Sequence, residues 1–433
     1  MVPWELFPRE KPSSYGKIGS NFFYRRTILP MTKGCPQTRL AMLWTNLASE
    51  PLVSLYTLLP FILRKEYVAN VFQLSIFLML RPVLSLLSFC WSAYFKKGRA
   101  HLIANLVGAF LLTYLPFVFL PWIENFSFFL FAAASYQLFS KAAIPSLMEI
   151  IKCNIPKKPR EDAFSLYYLF GFIESGILGL LFAYLLRSHI MDWKTLFSCS
   201  SLLGLSSVLF FRRIPAIEEK KVEQPNSIQP WKESFYLLHK HKSFRYLQWI
   251  FMFGGSALML MGPAFSSFYV DTLSLSYTNM ATARFVFMAL GVAGSTFLWK
   301  KGLRVCDILK LSLWVLIGMG IFPIMLLFAQ IHIAFLYLGF MLYGVAQAGS
   351  HLIWNLSGTI FAGEHDSSPF TRVNILLIGI RGIVMPLLGG LLCQLFGDVF
   401  VLALGGGLCL MGLLFVTKIA KIKVASLAQL RDF

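Results

Sequence analysis

The sequence predicts an all-α polytopic membrane protein: twelve transmembrane helices in two pseudo-symmetric six-helix bundles. Three observations carry that prediction. Of 433 residues, 57% are hydrophobic and only 14% charged, where a soluble domain carries about 25% charged residues. The apolar residues come in blocks of roughly 20, the length that crosses ~30 Å of hydrocarbon. Between two apolar halves of similar size lies a charged interval, 212–245, broken by Pro215, Pro225 and Pro230. It has no apolar period with which to bury a core and reads as a solvated linker.

Apolar windows place six helices in an N-terminal bundle (40–211), at 40–63, 67–94, 101–121, 124–150, 162–186 and 194–211. Six more fill a C-terminal bundle (246–418), at 246–270, 277–299, 308–329, 331–361, 373–396 and 399–418. Residues 1–39 and 419–433 read as cytoplasmic tails. The N-terminal tail is basic and polar, without the short apolar core and small-residue site of a removable signal peptide. Most of the 39 Lys and Arg residues fall in tails and loops on one side, while Arg64, Lys65, Arg187 and Lys194 mark the other. Basic loops stay cytoplasmic, so both termini are expected inside, in a plasma (inner) membrane whose bilayer is the chain's first partner. The same rule absorbs the net charge of +19, leaving no reason to invoke nucleic acid. The seven cysteines are scattered and form no CxxC pair, which argues against a disulfide framework or a metal site.

An internal repeat supports the division. Phe95-Lys96-Lys97-Gly98-Arg99 follows the second helix, and Trp299-Lys300-Lys301-Gly302-Leu303 follows the eighth, 204 residues later. In placement and in its basic and glycine positions this loop resembles that of the major facilitator superfamily of secondary transporters, G-x-L-A-D-R-x-G-R-R. Phe95 and Trp299 stand where that loop has its acid. Asp192-Trp193-Lys194 entering the sixth helix and Arg212-Arg213-Ile214-Pro215 leaving it are also similar to that family. Gly171, Gly176 and Gly179 form a degenerate version of a fifth-helix glycine pattern found in some of its exchangers. The resemblance implies a two-bundle carrier, with Lys96, Lys97, Gly98, Arg99, Lys300, Lys301 and Gly302 in its gating loops.

The chemistry is expected where charge is buried. A charge at mid-bilayer costs at least ~2.5–3.5 kcal/mol and persists when paired or facing a wet cavity. Six such residues occur: Glu50, Arg81, Lys141, Glu174, Arg284 and Arg381. The third, sixth, ninth and twelfth helices hold no charge away from their ends, and the resemblance implies that these four face lipid. Lys141 is expected to lean toward the midplane and meet Glu174, as a salt bridge or as part of a solute or proton site. Asn46, Glu50 and Thr57 share a face of the first helix. Pro51, Pro82 and Pro386, each beside or near a charge, free backbone carbonyls of the kind that build transporter sites, or merely kink their helices.

Glu50 is expected either to take and release a proton as access alternates or to be a fixed partner of Arg381 or Arg81. Arg381, with its forked donors, suits an anionic group. Arg284, nearer the end of its helix, is expected to snorkel to the interface. Gln347, His351 and Trp354 or Asn355 share a face of the tenth helix that could line a vestibule. Gly405-Gly406-Gly407 lacks the lysine and hydroxyl of a phosphate-binding loop, so ATP is not expected to drive the protein. The composite expectation is a non-enzymatic secondary transporter, monomeric and without cofactor, moving a small anionic or zwitterionic solute on an ion gradient, with protons expected as the coupling ion. The alternative is a non-transporting sensor or lipid-handling protein on the same fold.

Overall fold

A computed structural model describes residues 35–94, 100–155, 157–214, 236–362 and 368–429. Within these residues the chain is helical and contains no strand. The first group of helices is α1 (Cys35–Lys65), α2 (Val71–Tyr94), α3 (Ala100–Val118), α4 (Phe126–Asn154) and α5 (Lys157–Arg187), followed by α6, built of Trp193–Leu205 and Ser207–Phe211. The second begins with α7 (Lys242–Ser267, extended by a π-helical turn Phe268–Thr272). Next comes α8, which joins Tyr277–Ala281 to Met288–Val305 through a second π turn, Thr282–Phe287. It ends with α9 (Ile308–Phe328), α10 (Ala334–Ala362), α11 (Ser368–Phe396) and α12 (Asp398–Gln429). Eight of these rods have the length and apolarity to cross a membrane, and the chain is an integral membrane protein.

Several ends differ from the sequence expectation. Lys300, Lys301 and Gly302 are not in a loop: α8 carries them and ends at Val305. Nothing in Trp299–Val305 breaks a helix outright, and the stop comes where Cys306 turns extended and Asp307 caps α9 through Leu309 N at 3.1 Å. The equivalent Lys96, Lys97, Gly98 and Arg99 lie outside the described residues, as does 215–235 of the linker. The far end of that linker is helical from 236 to 240, and α7 begins at Lys242. At the C-terminus α12 continues to Gln429, through most of the expected tail.

The helices pack in a repeated order. In the first group α1 lies against α5 and α6, α4 against α2 and α3, and α3 against α6. In the second group α7 lies against α11 and α12, α10 against α8 and α9, and α9 against α12. Each pair of the first group thus has its counterpart six helices later. Across the groups α2 packs on α11 and α7, α5 on α8, and α1 on α7. Helices α3, α6, α9 and α12 find their partners inside their own group, and they turn Leu112, Leu202, Trp314 and Leu414 outward. These are side chains for lipid, where apolar exposure carries no penalty.

Each group is held by buried apolar packing and a few polar ties. Tyr56 stacks on Tyr136 at 4.6 Å, Phe117 meets both edge-on, and Phe197 stacks behind Phe117, so one aromatic column joins α1, α4, α3 and α6. Gln248 donates to Asn374 at 2.6 Å, and Asn374 donates to Ser357 at 2.9 Å, tying α7, α11 and α10. At the α2–α11 seam, a Cβ on Gly382 would strike Pro82 and one on Gly390 would strike Ser75. Glycine is what lets these two backbones close up.

Candidate functional site

The polar interior is built on α1, α2, α3 and α4. Asn46, Glu50 and Thr57 recur at helical spacing on α1, and Tyr136, Gln137, Ser140 and Lys141 form a stripe on α4. Between these faces lies a cavity of about 450 Å³, with Arg81 of α2 and Tyr114 of α3 completing its polar wall. It extends along α1 from Thr57 back to Met42, a rise of about 22 Å. Helices α1, α2 and α4 all run unbroken through it; Pro51 and Pro82 sit inside continuous helices.

Glu50 is half-buried, and its Oε2 has no hydrogen-bond partner. Its carboxylate neighbour is Glu174 of α5, also half-buried and also with an unpartnered Oε2. Gly171 makes this approach possible, since a Cβ there would stand 2.9 Å from Glu50 Oε1 and 3.0 Å from Asn46 Nδ2. Ser54 and Ser175, 3.0 Å apart, fasten the same two helices one turn further on. The expected Lys141–Glu174 contact does not form, because α5 docks on α1 and barely touches α4. Lys141 is exposed to the cavity beside Arg81, itself exposed. Among the described residues neither of these cations pairs with an acid; the ion pairs there are Arg64–Asp271 and Lys194–Glu124. Glu50 is therefore not a fixed partner of Arg81 or Arg381.

The second group contributes differently. Arg284, carried on the π turn of α8, is half-buried with Tyr269 of α7 and Tyr343 of α10 as neighbours, and it is within electrostatic reach of Arg81. It points into the bundle and does not snorkel, because α8 at this level is enclosed by α5 and α10. Gln347 donates to the Tyr343 hydroxyl. His351 is exposed on α10, also within reach of Arg81. Arg381 is buried away from the cavity: it donates to the Phe251 carbonyl, lies 6.0 Å from the Trp354 ring, and packs where a Cβ on Gly255 would strike it.

The two helix groups are tied together where α1 and α7 terminate. Arg64 holds Asp271 through Nη2 at 2.6 Å and Nε at 2.9 Å, and Ser267 donates to the same carboxylate at 2.7 Å. Tyr277 donates to Glu66 at 2.7 Å, and Lys65 donates to the Leu275 carbonyl at 2.6 Å. Asp271 rides on the π turn of α7, so both π turns present a charged residue to the opposite group. Such turns concentrate at functional positions.

No protein-family model matches the chain, and no curated protein matches it in sequence. Solved structures do match. A variant of the nucleoside transporter NupG superposes with a TM-score of 0.68 at 12% identity, covering 88% of this chain and 99% of its own. A POT family transporter in complex with 5-aminolevulinic acid superposes at 0.66 and 12%, covering 90% and 96%. A bacterial homologue of the human lysosomal transporter Spinster, inward-facing and unoccupied, superposes at 0.64 and 13%, covering 90% and 97%. The chain has the major facilitator fold. Its identity to these transporters is too low to carry any residue's role across, so the site rests on this chain's own geometry. Within the major facilitator fold observed here, Asn46, Glu50, Arg81 and Lys141 come together in one cavity. Glu174 stands behind Glu50, while His351 and Arg381 stand in the second helix group.

Sequence reasoning missed Tyr56, Tyr114 and Tyr136, because aromatic residues in apolar segments read as lipid-facing, and it missed Gln137, a single neutral polar residue in an apolar block. The signal was present on α4, where Tyr136, Gln137, Ser140 and Lys141 place four polar groups on one stripe.

Proposed function

We propose that the chain is a secondary active transporter of twelve crossings, with two six-helix bundles (40–211 and 246–418) that alternate access to a small anionic or zwitterionic solute. Coupling is to an ion gradient, with protons as the coupling ion and Glu50 as the group that carries them. Both termini lie on the cytoplasmic side of the plasma membrane, which makes the Arg64–Asp271 end the outer one. The solute then enters the cavity from the side of Met42 and Ile151.

The observation that carries the reading is the cavity itself. Glu50, Arg81 and Lys141, charged groups that would be costly against lipid, are gathered around one polar space, and the two helix groups are tied together beyond its Thr57 end. The repeated packing order supports two related bundles, and the transporters of the same fold support carriage over catalysis. The test is reconstitution into proteoliposomes loaded with a pH-sensitive dye and challenged with a metabolite panel. The expected result is a solute that drives proton movement in the wild type and fails to do so in Glu50→Gln. Sealed, folded protein that moves no solute or proton across the panel would favour the sensor or lipid-handling alternative.

A further inference from the structure

Two cations line the same cavity from facing helices. Arg81 on α2 and Lys141 on α4 are both exposed to the cavity, and both lack an acidic partner among the described residues. They are close enough to repel each other. Arg284 and His351 approach Arg81 from the second group and add no acid. Glu50 lines the same cavity but makes no ion pair with either cation; its acidic neighbour is Glu174 of α5. Two like charges that converge on one cavity without pairing with its acid have a fitting complement in an anion that enters from solution.

We infer that Arg81 and Lys141 form an anion-binding subsite in the cavity, which takes the phosphate or carboxylate oxygens of the solute. Arg81 supplies a planar fork of donors, suited to two oxygens at once, and Lys141 supplies a point charge from the facing helix. Gln137 and Ser140, adjacent on the α4 stripe, add neutral donors to the same wall. The inference rests on the cavity being the solute site and deepens that reading by naming the group it recognises.

A structural role for the two cations and a ligand-binding role predict opposite stabilities. If they exist to receive an anion, the empty protein carries their repulsion as strain, and neutralising one relieves it. The experiment is thermal unfolding of the purified full chain in detergent, with sodium phosphate, sodium succinate or sodium chloride at matched ionic strength. Phosphate or succinate is expected to raise the melting temperature of the wild type by roughly 2–4 °C, as ligand linkage predicts, and chloride to leave it unchanged. Which of the two acts distinguishes phosphate from carboxylate recognition. Arg81→Gln and Lys141→Gln are expected to melt no lower than wild type when empty and to lose the shift, while Arg81→Lys and Lys141→Arg keep part of it. The inference is overturned if neither anion shifts the wild type, or if the shift survives both neutral variants. It is overturned also if those variants melt lower when empty. Proton-coupled flux that persists without any anion shift removes this inference alone, whereas an anion shift without flux removes only the carrier reading.

Discussion

Arg64 and Asp271 grip one another across the two helix groups from matching places, the last turns of α1 and α7, with Nη2 2.6 Å from Oδ2. Both side chains retain exposure, 21% and 41%, so the pair contributes modestly to global stability, on the order of 0.2–1 kcal/mol. Its weight is local. In Arg64→Ala the amides of the Phe268–Thr272 turn are expected to exchange with solvent about 2–5-fold faster, with the melting temperature nearly unchanged. Hydrogen exchange read by mass spectrometry checks this, and an unaltered rate in that turn would show that the neighbouring Tyr277–Glu66 contact holds the two groups together there without Arg64.

Gly171 and Gly176 make a matched pair on α5. An alanine methyl at 171 would press within 2.9 Å of Glu50 Oε1, whereas at 176 it would meet nothing within 4 Å. Gly171→Ala is expected to displace Glu50 and abolish proton-coupled flux in a protein that still folds. Gly176→Ala is expected to keep its flux and gain up to about 1 kcal/mol of helix stability. Equal flux in the two variants would mean that the Glu50 position is not critical.

The α8–α10 crossing depends on two glycines that face each other's backbone. A Cβ on Gly291 would strike the Met341 carbonyl, and one on Gly344 the Met288 carbonyl. Gly344→Ala is expected to lose about 1–3 kcal/mol from overpacking, visible as a lower melting temperature in detergent. A neutral result would show that the two helices can part without cost.

Arg381 is held by the Phe251 carbonyl and the face of Trp354 inside the second group. The carbonyl keeps its helical partner, and removing Arg381 takes away one hydrogen bond from a charged donor and its packing beside Trp354, a loss of about 1.5–3 kcal/mol. Arg381→Leu is therefore expected to melt lower than wild type, yet to respond to phosphate or succinate as the wild type does. Loss of the anion response in a folded Arg381→Leu protein would place Arg381 in the binding site after all.

Much of the scaffold was legible in the chain because lipid imposes a simple code. Blocks such as 308–329 are apolar throughout and emerge as α9 (Ile308–Phe328) with almost the same ends. The site was legible in part. The spacing of Asn46, Glu50 and Thr57 is a local property, and all three line the cavity. What Lys141 meets is not local: depth along the membrane allowed Glu174, but the docking of α5 on α1 gave that acid to Glu50. Arg64 carried information about orientation when read singly, and nothing in either segment announces that it and Asp271 are partners. The π turns were invisible because they change hydrogen-bond spacing without changing composition.

The wide turn at Thr282–Phe287 gives α8 a property that a regular helix lacks. It accommodates one residue more than an α-helical turn would. Were that surplus passed along the rod, everything beyond it would rotate by about 100° about its own axis, including Gly291 where α8 meets α10. A screw of this kind can redirect the Arg284 side chain by a large angle at the cost of a few backbone bonds. It would do so without either bundle bending.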